Sequence, residues 1–220
     1  MKQLQPLFVV FLVFLFASCI KLREDDRPPT IYYSIGIYHP NEDVITTDNG
    51  ETLLILNTSK INLSKSRPTR VAAYFRIDET VDDKTAKIIV TSIYDISSPI
   101  VHINEKNQDS LKRNDVVEFI SMSIAQDYLN ISFNAWRHNK KHYFFITKNP
   151  EDQEDDLIVL RFHHNASGDV GYNKFESILT VPISEFKLIH PEKDSVEISV
   201  SLHDKDTGLR EERIWYRTKN

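Results

Sequence analysis

The sequence predicts an all-β chain in two domains: a small closed or nearly closed barrel over residues 33–108, then a β-sandwich over residues 109–220. Three observations carry that expectation. Apolar residues recur with period two along most of the chain, the mark of strands with one buried face. In the second half, turn signals interrupt them every 8–12 residues or so, the spacing of a sandwich, at about that interval throughout. The first half fits four or five such strands into under eighty residues, which suits a small barrel.

The first eighteen residues have the layout of a secretory signal. Lys2 gives a basic head, residues 7–16 are apolar without a break, and Ala17 and Ser18 are the small residues of a cleavage site. The apolar run is far shorter than the roughly 20 residues a helix needs to cross a bilayer, so a permanent anchor helix is not expected. Cys19, the only cysteine, follows directly. A small-residue cut site before a cysteine resembles the lipobox of bacterial lipoproteins, which implies lipidation at Cys19. Residues 19–32, with Lys21, Arg23, Glu24, Asp25, Asp26, Arg27 and the Pro28-Pro29 pair, read as a solvated tether.

The barrel strands follow. Tyr33, Ile35 and Ile37 alternate with Ser34, Gly36 and Tyr38. Val44 and Ile45 lead to Asp48-Asn49-Gly50, a hairpin signal whose turn requires positive φ at both central residues, and residues 53–56 return. Val71, Ala73, Phe75 and Ile77 alternate with Arg70, Ala72, Tyr74 and Arg76. A polar turn at 78–85 precedes a long run, 86–103, whose inward set is either Ile88, Val90 and Tyr94 or Ile89 and Ile93. Residues 104–114 are polar and read as the linker.

Seven sandwich strands are expected at 116–124, 128–136, 142–147, 157–164, 177–183, 196–202 and 211–217. Gln126-Asp127 turns the first pair, and 204–208 turns the last. Leu129, Ile131, Phe133 and Ala135 share one face. The one helical piece is a single turn near 184–188, after Pro182. Trp136 and Trp215 are expected in the sandwich core.

Composition narrows the function. With 27% charged and 40% apolar residues the chain is globular rather than disordered. The formal charge is −5, and loss of Lys2 with the signal leaves −6. So acidic a chain is a poor general binder of nucleic acid, and no nucleic-acid partner is expected. With Cys19 committed to lipid, intrachain disulfides and thiolate zinc sites are excluded. There is no Gly-x-Ser-x-Gly, His-Glu-x-x-His or P-loop and no cysteine nucleophile, so no catalytic residues and no cofactor are expected. The Asp155-Asp156 pair reads as a solvated loop.

Together, several segments are similar to the NigD-like lipoproteins of Bacteroidetes. They are the lipobox with its acidic follow-on, Asp48-Asn49-Gly50-Glu51-Thr52-Leu53, Val90-Thr91-Ser92-Ile93-Tyr94-Asp95-Ile96, Asp127-Tyr128-Leu129-Asn130-Ile131-Ser132-Phe133, and Leu160-Arg161-Phe162-His163-His164-Asn165-Ala166-Ser167-Gly168-Asp169. The resemblance spans the chain. It implies an N-terminal OB-like barrel followed by an immunoglobulin-like sandwich, and an address in the outer membrane of a Gram-negative envelope, on the periplasmic face or the cell surface. The family takes its name from a bacteriocin gene cluster. Two readings of function follow: a non-catalytic binding protein contacting a protein, peptide or glycan, or an envelope-protection or export accessory of a bacteriocin-related locus.

Candidate sites are few. Lys60, Lys65, Arg67, Arg70 and Arg76 form a run without an acid, and Tyr74 lies within it. On an OB-like barrel, Lys65, Arg67, Arg70 and Tyr74 could hold a glycan or an anionic polymer. A solvated basic edge is the competing reading. Adjacent His163 and His164 on a strand point to opposite faces, which disfavours a shared metal and favours structural roles. His138 and His142 could meet across a turn, without a third ligand nearby, so no metal is expected. Ser110 and Ser195, each after an aspartate, resemble a short O-glycosylation motif of exported Bacteroidetes proteins.

Overall fold

The computed structural model describes residues 29–63, 66–98, 100–102, 113–153, 157–189 and 191–219. The expected signal, Cys19, most of the tether, Lys65, Ser110 and the Asp155-Asp156 pair lie outside the described residues. The chain divides into Met1–Ile31 and Tyr32–Asn220, and the described residues of the second unit form thirteen strands.

Val71, Ala73, Phe75, Ile88 and Val90 turn inward with Tyr38, Ile45 and Leu53 and close the first sheet on itself. Strands β1 (Tyr32–His39), β2 (Val44–Thr47), β3 (Thr52–Ile55), β4 (Thr69–Asp82) and β5 (Thr85–Asp95) form a closed barrel in the order β1-β2-β3-β5-β4. The core face of β1 is the one bearing Gly36 and Tyr38, which leaves Tyr33 and Ile35 on the outside. Gly36 is required there. A Cβ on it would lie 2.4 Å from the Thr46 carbonyl oxygen and 2.9 Å from the Thr47 Cα, where β2 crosses closely.

Two local expectations change. Between β2 and β3, Gly50 alone has positive φ, +81°, and its N–H bonds the Thr47 carbonyl at 2.9 Å. This is a tight turn followed by a left-handed glycine, not a turn with two left-handed residues. The two-residue left-handed turn stands instead at Gln126 (φ 49°) and Asp127 (φ 62°). On β5, Phe75 pairs with Val90 but Tyr74 pairs with Ser92, so Thr91 is an extra residue. That bulge reverses the alternation. Ile88 and Val90 face in before it, Ile93 packs against the core after it, and Tyr94 is turned out, 56% exposed.

The run expected to stay in the barrel to residue 103 splits after β5. Residues 100–102 form β6 (Ile100–His102), which pairs in parallel with β9 of the sandwich, ahead of the boundary expected at 108/109. The seven expected sandwich strands are all present: β7 (Glu118–Ala125), β8 (Tyr128–Arg137), β9 (Tyr143–Lys148), β10 (Leu157–Asn165), β11 (Asn173–Pro182), β12 (Ser195–Asp204) and β13 (Gly208–Arg217). They make a five-stranded sheet, β13-β12-β10-β9-β6, facing a three-stranded sheet, β11-β8-β7. Leu129, Ile131, Phe133 and Ala135 meet Ile146, Leu160, Phe162, Val200 and Leu202 in the core. A single helical turn, Phe186–Ile189, seats Phe186 beneath it. The tryptophans are not core residues. Ile214 and Tyr216 take the inner face of β13, so Trp215 points out at 66% exposure, and Trp136 lies on the outer face of β8 under the Lys205 ammonium at 4.2 Å.

Candidate functional site

The outer face of β4 runs Arg70, Ala72, Tyr74, and each residue meets a different environment. Arg70 is fully buried. Its two Nη atoms each bond one carboxylate oxygen of Asp48 at 2.5 Å. Nη2 also donates to Asn130 Oδ1 at 3.1 Å and Nε to Thr180 Oγ1 at 3.2 Å, both across in the sandwich. The guanidinium lies 4.8 Å from the centroid of the Tyr128 ring. A planar fork with five donors is suited to such a junction, where lysine would offer three donors on a single nitrogen and no fork to match the carboxylate. Gln126 adds to it from the left-handed turn, donating to the Thr46 and Thr47 carbonyls of the barrel. Arg70 therefore drops out of the expected ligand-binding set: it joins the two domains and has no access to solvent.

Next to this junction the barrel wall and the outer face of sheet β11-β8-β7 diverge into a cleft of about 580 Å³. Buried Ala72 is its floor, because a small side chain there leaves room between larger neighbours. Tyr33 and Tyr74, opposite each other across β1 and β4, form one wall with ring centroids 4.9 Å apart. Tyr94, turned out by the bulge, stands with Ile96. Ser132, Glu176 and Ile178 supply the sandwich wall. Partial burial, with the neighbouring Tyr74 and Glu176 adding, holds the Tyr33 phenol above its ordinary pKa. The three rings remain 41–56% exposed, an aromatic surface left open between two fixed walls.

The histidines form a second constellation. His163 and His164 do point to opposite faces. His163 bonds Asn114 Oδ1 through Nδ1 at 2.9 Å and Thr147 Oγ1 through Nε2 at 2.8 Å. His164 Nδ1 donates to the Val116 carbonyl at 3.2 Å, and its Nε2 faces His142 Nδ1 at 3.0 Å. His142 Nε2 in turn faces Asp169 Oδ2 at 3.3 Å. His142 thus meets His164, not His138, whose backbone N–H instead bonds the same carboxylate at 2.8 Å. Hydrogen bonds from the His138 backbone first, then Lys140 and the His142 ring, hold the Asp169 carboxyl below its ordinary pKa. Burial pushes His164 in the opposite sense to charging, below the ordinary histidine value. Each ring nitrogen of the pair faces a polar partner, and among the described residues no three His, Cys, Asp or Glu side chains are placed to hold a metal.

Of the other expected positions, Arg67 is exposed and lines a separate pocket with Asp95, Ser97 and Tyr128. Ser195 begins β12, half-buried and paired with Arg217. Among the described residues of the expected set, Tyr74 alone lines the cleft. Tyr33, Tyr94 and Glu176 went unnoticed in the sequence. Tyr33 shares its phase with Ile35 and Ile37, the apolar set of β1, so the alternation points it toward the core, and the bulge that turns Tyr94 out leaves no signature in residue type.

A family model, the NigD-like C-terminal beta sandwich domain, matches residues 99–211. No curated protein matches the sequence. Among solved structures, a NigD-like immunity protein from Bacteroides caccae is 18% identical, with a TM-score of 0.67 over 87% of this chain and 98% of that one. A protein of Parabacteroides distasonis, described provisionally as toxin-related, is 22% identical, with a TM-score of 0.67 over 86% and 94%. A Bacteroides fragilis protein described provisionally as a lipoprotein is 13% identical, with a TM-score of 0.61 over 87% and 99%. At these identities the likeness is one of fold, and it extends through the barrel as well as the sandwich. With more than half of its length matched by the family model, the chain belongs to the NigD-like family.

Proposed function

We propose that this NigD-like protein is an exported, lipid-anchored binding protein of the cell envelope, without catalytic function, whose ligand site is the tyrosine-walled cleft. The observation that carries it is the pairing of an open aromatic surface with rigid support: Tyr33, Tyr74 and Tyr94 are exposed beside a junction in which Arg70 is fully buried and bonded at each of its three guanidinium nitrogens. Pockets that fix a few polar groups among apolar and aromatic walls are the usual form of a binding site. An array carrying both extended peptides and oligosaccharides tests it. A saturable ligand lost in Tyr74→Ala, with an unchanged melting temperature, is the expected outcome, and an empty array for the wild-type protein counts against the cleft.

The anchor is Cys19, lipidated after cleavage behind Ser18, in the outer membrane of a Gram-negative envelope. The Bacteroides fragilis neighbour described as a lipoprotein supports it. Cys19→Ala is expected to move the protein from the membrane pellet to the soluble fraction; retention in the pellet without labelled fatty acid sinks the assignment. Ser110 and Ser195 are proposed O-glycan sites, read by a mass shift that Ser110→Ala or Ser195→Ala removes.

A second reading, envelope protection or export assistance in a bacteriocin-related locus, is favoured by the fold shared with the Bacteroides caccae immunity protein. Unaltered toxin sensitivity of a deletion strain argues against it.

A further inference from the structure

We infer that the cleft takes an extended peptide segment bearing a lysine or arginine, which lies along the open edge of β11 and places its cation between the tyrosine rings and Glu176. The inference rests on the cleft reading above and names its ligand class.

Charge comes first. The sequence suggests cations awaiting an anion, whereas the described residues of this cleft offer a carboxylate. Arg70 is consumed by Asp48, Arg67 lies in another pocket, and among the described residues the one charged side chain lining the cleft is Glu176. Glu176 is exposed, and no hydrogen bond or ion pair joins it to another described residue. A carboxylate facing tyrosine rings makes a site for a cation, since the ring faces carry the negative end of the quadrupole and the carboxylate adds a full charge. An anionic polymer would meet repulsion there, and a neutral glycan would leave the carboxylate without a counter-charge.

The backbone supplies the second, independent observation. β11 is the terminal strand of its sheet. The segment leaving β5 has already begun to pair with its free edge: Ser97 bridges Thr180 in parallel, and the Ser98 N–H donates to the Thr180 carbonyl at 2.9 Å. Backbone groups of alternate residues on a strand point to the same side, so Ile178 and Glu176 present their N–H and C=O where Thr180 does. No backbone hydrogen bond to a described residue occupies that side at either position. Both residues line the cleft. An added strand would therefore continue a pairing that the chain itself starts, gaining main-chain hydrogen bonds while its side chains enter the aromatic cleft.

Calorimetry on the full mature chain tests this with three probes: acetyl-(Lys-Val)3-amide, acetyl-(Glu-Val)3-amide and maltohexaose. The lysine peptide is expected to bind at one-to-one stoichiometry, and Glu176→Gln to weaken it about tenfold. Glu176→Lys should transfer preference to the glutamate peptide. N-methylation of alternate amides in the lysine peptide should abolish binding through the backbone term alone. Because Glu176 is exposed and unbonded, both variants are expected to melt with the wild type, which separates lost binding from lost fold. Binding of maltohexaose alone, equal binding of the two peptides, or lysine-peptide affinity indifferent to Glu176→Gln overturns the cationic-peptide assignment while leaving the cleft a binding site. A lysine peptide that fails to bind also overturns it. Silence of the peptide and oligosaccharide array of the cleft test, together with silence of the three probes, overturns both.

Discussion

Removing the Arg70 guanidinium leaves the Asp48 carboxylate facing the junction without a counter-charge. Breaking one partner of a buried pair costs about 3–5 kcal/mol, and Asp48 keeps 22% of its side-chain exposure, so Arg70→Met should fall near the low end, about 3 kcal/mol. Adding Asp48→Asn should recover part of that loss, because the uncompensated charge goes with it. Urea denaturation reads both; a single-variant loss under about 0.5 kcal/mol, the size of an ordinary surface change, counts against the junction. At the histidine relay the sign is fixed by His164. Its burial keeps the folded-state pKa below the ordinary 6.5, so as pH falls through 6.5 the unfolded chain takes up the proton first and the folded state loses stability relative to it. The contribution is fully present above 6.5 and declines as pH drops toward the depressed value. His164→Phe, which keeps a ring stacked on Phe144, should lower stability at neutral pH and flatten its decline between about pH 7 and pH 5. A decline as steep as in the wild type would assign the effect to other groups.

Strand existence was legible because alternation is a property of the residues themselves: Leu129 to Ala135 and Val71 to Phe75 bury the faces their pattern announces. Which side carries a chain neighbour was less so. Arg70 reads as a solvent-facing cation from its position in the alternation, and it does point out of the barrel, but the outside of the barrel at that point is the sandwich. Only tertiary placement decides between solvent and partner. The bulge at Thr91 and the left-handed Gln126-Asp127 turn lack the usual glycine or Asn-Gly signal, and side-chain bonds hold the turn. Asp127 accepts from the Tyr216 hydroxyl at 2.9 Å and Gln126 reaches the barrel. Glycine at 36 is dictated by an approach between strands, which no local pattern reports. Gly36→Ala should cost about 1–3 kcal/mol or more, since the atoms it meets are backbone and cannot move aside. Gly50→Ala meets open space and loses only the left-handed preference, of order 1 kcal/mol. Melting temperatures should rank Gly36→Ala well below Gly50→Ala, and the reverse order would show that β2 can shift.

Over the whole molecule, the cleft has one wall in the barrel and one in the sandwich, so its width is set by the bonds between them. Those bonds are polar and few among the described residues: Arg70 to Asn130 and Thr180, Asn130 to Asp48, Gln126 to the Thr46 and Thr47 carbonyls, and Ser98 to Thr180. Each is held in a buried or half-buried setting, where leaving a partner unmade costs more than the bond contributes, and this couples the two cores. The wild-type chain should therefore melt in one calorimetric transition, and Gln126→Ala with Asn130→Ala should split it into two, since each domain keeps its own core. Neither substituted residue lines the cleft. The same double variant should nonetheless bind the cleft's ligand about tenfold more weakly, because a site with loose walls must be ordered at the moment of binding. Two transitions with undiminished affinity would mean that one wall alone holds the ligand; with β11 supplying both the open edge and Glu176, that wall would be the sandwich.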